Sequence, residues 1–153
     1  MKKPLVAHPF LLALFPILFL FSHNIEQMSF SQVWVSMIVV LGFTLVAFSL
    51  LTLILRNGNK AGIIVSLFLV LFFSYGHVYD AMWGEVQGEP PLGGHPLLLG
   101  GCAVILAGVV AFVAMTRKKL QDVTKILNVV ALSLVAISVV NIGIFELRRV
   151  ALW

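Results

Sequence analysis

His23, Asn24 and Glu26 follow the first of five apolar stretches in this sequence of 153 residues. Tyr75, His77, Tyr79 and Asp80 end the third, His95 opens the fourth, and Asn141 and Glu146 close the fifth. Imidazoles and carboxylates ligate metals, carry protons and grip headgroups, so their gathering at stretch ends is the main chemical signal here. His77 and Asp80 are three positions apart and share a face on a helix, where the carboxylate would fix the ring's orientation. The polar residues of note thus fall mostly at one level of the molecule.

Two readings compete for them. The first is a site for a polar headgroup or other ligand, with His23, Glu26, His77, Asp80 and His95 as candidates. The second is interfacial anchoring, since Tyr, Trp and His combine a polar tip with an apolar body and settle at the headgroup level. The second explains more with less. No His-x-x-x-His or Glu-x-x-His spacing is present, so no metal site is assigned. A haem or chlorophyll-type pigment ligated by His77 or His23 is a third reading, against which the interfacial position of both residues counts.

Catalytic motifs are missing from the sequence: there is no nucleophile elbow, P-loop, dinucleotide fingerprint or zincin helix. No catalytic residue is therefore assigned. Cys102 is the one cysteine, which excludes an internal disulfide framework and a Cys-rich metal site.

The elements that must position these residues are read from composition. Hydrophobic residues make up 61% of the chain and charged ones 10%, too little polar surface to cover a water-soluble core. The apolar stretches run over 5–22, 33–55, 61–79, 96–115 and 123–145, each about as long as a bilayer core requires of a helix. In lipid the backbone must satisfy its own hydrogen bonds, which selects helices here in the absence of alternating strands. The expected fold is all-α: a polytopic integral membrane protein, one membrane domain over 1–153 with five transmembrane helices. The break after the first stretch, Ser22 to Glu26, lacks a signal-cleavage pattern, so that stretch reads as a retained helix.

The net charge of +4 is a matter of topology, with no nucleic-acid partner implied. Lys2 and Lys3, Arg56 and Lys60, and Arg117, Lys118, Lys119 and Lys125 sit where the chain would face the cytoplasm, opposite Glu26, Asp80, Glu85 and Glu89. The amino terminus is then cytoplasmic and the carboxyl terminus extracytoplasmic, with Arg148 and Arg149 in the tail as the departure from the rule.

Arg56 to Lys60 reads as a tight turn, Asp80 to His95 as a longer Gly- and Pro-rich loop. Pro9 and Pro16 should kink the first helix or delay its start. Ala103, Ala107 and Ala111, with Gly100 before them, form a small-residue stripe suited to close helix packing. Asn128 and Asn141 should hydrogen-bond to neighbouring helices, and Glu146 could pair with Arg149.

Two segments, HPFLLALFPILFLFSHNI at 8–25 and FFSYGHVYD at 72–80, resemble the amino-terminal membrane region that precedes a sulfatase-like domain in bacterial proteins of the alkaline phosphatase superfamily. The similarity extends to NIGIFELRR at 141–149. This resemblance implies a bacterial inner-membrane anchor and lipid-facing platform of an envelope enzyme that hydrolyses or transfers phosphate or sulfate esters. The catalytic and metal-binding residues of such an enzyme would lie in an extracytoplasmic domain beyond Trp153. The implied partners are membrane lipids and that domain. The alternative from a different class is a small structural subunit of a larger membrane complex, with or without contact to pigment or haem.

Overall fold

The computed structural model describes residues 4–27, 30–84 and 94–151. Five helices follow in order: α1 (His8–His23), α2 (Phe30–Leu55), α3 (Gly58–Trp83), α4 (Gly94–Met115) and α5 (Gln121–Ala151). No strand is present among the described residues, and the chain is all-helical. Lys2, Lys3, Glu85 and Glu89, with most of the Gly- and Pro-rich loop, lie outside the described residues.

Four of the helices, α2 to α5, are long and apolar enough to cross a membrane. The first is shorter than the other four. Its 16 residues span about 24 Å at ~1.5 Å per residue, against a hydrocarbon core of about 30 Å. Pro9 accounts for the late start, because proline is tolerated in the first turn, where its missing N–H would be unpaired anyway. Pro16 lies inside the helix and removes the hydrogen bond that the Leu12 carbonyl would accept from position 16.

This shortest helix shares the centre of the bundle with α3, which packs against all four other helices. α1 packs against α5, α2 and α3, while α4 packs on α3 alone among the stronger contacts. His8, Pro9 and Ala13 are buried, and no residue of α1 is exposed before Phe19. On α3 the buried residues are Ala61, Gly62, Ile64, Val65, Ser66 and Leu69, all in its first half. Ala13, Val65 and Leu69 form the core, flanked by Phe48, Leu51 and Phe73.

The turn between α2 and α3 needs only Arg56 and Asn57. Arg56 adopts φ 50°, the left-handed conformation that ends a helix and reverses the chain. The Asn57 side chain then caps α3, accepting from the N–H groups of Asn59 and Lys60. At the other extreme, α5 continues helically to Ala151, so the charged tail is part of the last helix. Glu146 and Arg149 do approach there, at 3.8 Å, with both side chains about half exposed or more.

The small-residue stripe of α4 is exposed, with Ala103 alone of its residues lining the groove against α3. Gly100, Ala103, Ala107 and Ala111 are all exposed, and a Cβ added at Gly100, Gly101 or Gly108 would meet nothing within 4 Å. Helix α4 turns Leu99, Cys102, Ala103 and Leu106 towards Phe68, Leu71 and Tyr75 of α3.

Candidate functional site

The end of the bundle that carries the basic turns is closed by hydrogen bonds. Ala7 precedes α1 and offers no capping side chain, so the first N–H groups of the helix need an outside acceptor. Asn128 of α5 supplies it: its Oδ1 accepts from the N–H of Ala7 at 3.1 Å and of His8 at 2.8 Å. Its Nδ2 donates to the Leu5 carbonyl at 2.6 Å. One amide thus clamps the chain entering the central helix.

Four further hydrogen bonds tie the same end. Nδ1 of His8 lies 2.6 Å from Oγ of Ser66 on α3. Thr124 of α5 donates to Oδ1 of Asn59 at 3.0 Å. The Lys60 ammonium donates to the carbonyls of Ala114 and Thr116, at 2.8 and 2.9 Å, where the end of α4 leaves carbonyls unpaired. Lys60 is therefore a helix cap for α4. His8 packs so closely on Gly62 that a Cβ there would sit 3.1 Å from its ring and collide with Val6.

The opposite end is built from rings and space. On α3, Tyr75, Tyr79 and Trp83 recur every fourth residue, and the imidazole of His95 on α4 lies parallel to Tyr79 at a centroid distance of 4.0 Å. The same imidazole is bonded to the Tyr75 hydroxyl through Nδ1 at 2.9 Å. Gly94 makes this approach possible, because a Cβ there would already lie 3.3 Å from the Tyr79 ring.

Between α1, α2, α3 and α5 lies a cavity of about 740 Å³, within the range of small-molecule sites. Leu12, Phe15 and Pro16 of α1, Leu69 and Phe73 of α3, and Leu134 of α5 wall it. Its polar lining is Ser36, Ser74 and His77.

The five candidate ligand residues are thereby placed, and they do not converge. His23 ends α1 with Nδ1 2.9 Å from the Phe19 carbonyl and its ring on Phe19 at 4.2 Å. Glu26 is exposed in the turn that follows. His77 faces the cavity, Asp80 is exposed on α3, and no hydrogen bond or ion pair joins the two. His95 belongs to the aromatic stack. Among the described residues no group of three His, Cys, Asp or Glu side chains could hold a metal ion.

Asn128 bonds between helical segments as its type and place suggest, whereas Asn141 is exposed and makes no hydrogen bond among the described residues. The expectation that the notable polar residues collect at one level is corrected by the second polar set at the basic end. His8 and Ser66 were not foreseen. The available signal was that His8, Asn59, Ser66, Thr124 and Asn128 all fall within the first three turns of helices that begin at that end.

Comparisons of the chain with protein-family models, with curated proteins and with solved structures find no match in any of the three.

Proposed function

We propose that this chain is the membrane anchor and lipid-facing platform of a sulfatase-like envelope enzyme, oriented with its basic end in the cytoplasm and its open end outside. The observation that carries this reading is the division of labour along the bundle axis. Polar bonds secure the basic end, while the cavity and its polar lining at His77 lie towards the end that would meet an extracytoplasmic domain. The segment resemblance at 8–25 and 72–80 supplies the kind of domain. Charge supports the orientation, since Arg56, Lys60 and Arg117 to Lys119 flank the end assigned to the cytoplasm.

Purification from native membrane, with mass spectrometry of what copurifies and an absorption spectrum, tests the proposal. A sulfatase-like polypeptide, continuous with this chain or bound to it, is expected in a colourless preparation. A Soret or chlorophyll band that disappears in His77→Ala would overturn the proposal in favour of a pigment-bearing subunit.

A further inference from the structure

The cavity is elongated along the bundle axis, and its two ends differ. Eight residues separate Leu12 from Leu20 on α1, and eight separate Leu69 from His77 on α3, all four lining it. At about 1.5 Å per residue the walls run about 12 Å. One leaflet of hydrocarbon is about 15 Å deep, half of the ~30 Å core.

The deep end, at Leu12, Leu69 and Leu134, is wholly apolar. Towards the other end, Ser36 and Ser74 donate to the carbonyls of Gln32 and Val70 on their own helices. That leaves His77 as the polar group with no hydrogen-bond partner among the described residues. The cavity also opens sideways, because Phe19, Leu20 and Val70 on its rim keep 43, 54 and 47% of their surface exposed.

We infer that this cavity takes up one hydrocarbon chain of a membrane lipid from the leaflet at the open end, entering sideways past Phe19 and Val70 and leaving the headgroup level with His77. The inference rests on the lipid-platform reading above and gives that platform its binding site. Depth selects the occupant: a chain spanning one leaflet fits a slot of this length, and a transmembrane helix of a second copy does not. An apolar chain loses nothing to unpaired polar groups at the deep end, while the single free imidazole offers a hydrogen bond only at the mouth.

The test uses the full chain in phosphatidylcholine vesicles that contain phosphatidylcholine with a diazirine at the end of one acyl chain. After irradiation, adducts are expected on the peptides around Leu12 to Ile17 and Leu69 to Phe73. Ser74→Phe, which fills the slot, should lower those adducts about tenfold, equivalent to ~1.4 kcal/mol. Val104→Phe, on the exposed face of α4, should leave them unchanged. Adducts confined to the outward faces of α2, α4 and α5, adducts between two copies of the chain, or cavity adducts indifferent to Ser74→Phe would each overturn the inference. If Ser74→Phe fails to fold, the adduct map of the unaltered chain decides. Cavity adducts without any sulfatase-like partner would remove the anchor reading and leave the lipid slot standing.

Discussion

At the basic end, Asn128, Ser66, Asn59 and Lys60 each hold a group from a different segment of the chain, and His8, Ala61, Gly62 and Thr124 beside them are buried. At the opposite end ring faces stack between α3 and α4 beside the Tyr75–His95 hydrogen bond, and next to them four helices part to leave a cavity. The difference follows from what each kind of contact does in lipid. Apolar packing between helices has little driving force when lipid tails are as apolar as the side chains, so hydrogen bonds that would otherwise go unmade fix the register at one end. Where the walls between helices are apolar, as around the cavity, helices can separate and admit a lipid chain without leaving polar groups stranded.

The strongest way to break this contrast is to remove the amide that caps the central helix. Asn128→Leu leaves the N–H groups of Ala7 and His8 and the Leu5 carbonyl without their partner. A cost of about 2–4 kcal/mol is expected, since each buried polar group left unsatisfied costs about 1–3 kcal/mol and some find water. Thermal unfolding of the purified chain in detergent should show the largest fall in Tm of any single substitution described here. An unchanged Tm would mean that the basic end is not what holds the bundle.

Next in size is a pair of glycines that differ only in surroundings. Gly62→Ala drives a methyl group into Val6 and the His8 ring, and overpacking of this kind costs about 1–3 kcal/mol. Gly108→Ala meets nothing within 4 Å and should be neutral or stabilising by up to about 1 kcal/mol through helix propensity. Equal effects on Tm at both positions would contradict the packing of α1 on α3.

Much of this was legible in the sequence, and the remainder has a physical reason for being hidden. The apolar runs located the helices, because hydropathy and length are what a bilayer demands. Pro9 announced the late start of α1, and Asn57 in Arg-Asn-Gly-Asn-Lys announced a turn. Which helix sits in the centre was not legible: lipid accepts every face of an apolar helix, so no polar stripe marks the outside. The stripe of Ala103, Ala107 and Ala111 was legible too, but small residues permit close packing without naming the partner, and in the fold these residues are exposed. His77 and Asp80 share a helix as the spacing suggests, yet the cavity beside the first of them arises from the packing of four helices, which no local spacing encodes.

The smallest expected effect tests the open end. His95→Ala removes the ring stacked on Tyr79 and the partner of the Tyr75 hydroxyl. A stacked pair contributes about 0.5–1.5 kcal/mol beyond area burial, and the freed hydroxyl lies at an exposed position where water replaces its partner. A loss near the lower end of that range is therefore expected, well below that of Asn128→Leu, with the cavity adducts of the diazirine lipid retained. The ratio of the two losses is the informative quantity. If His95→Ala matched Asn128→Leu, the aromatic stack would be a second structural clasp, and the contrast between a bonded end and an open one would fail; a small loss instead leaves α4 a loosely attached flank whose departure from α3 does not disturb the α1, α2, α3 and α5 walls of the lipid slot.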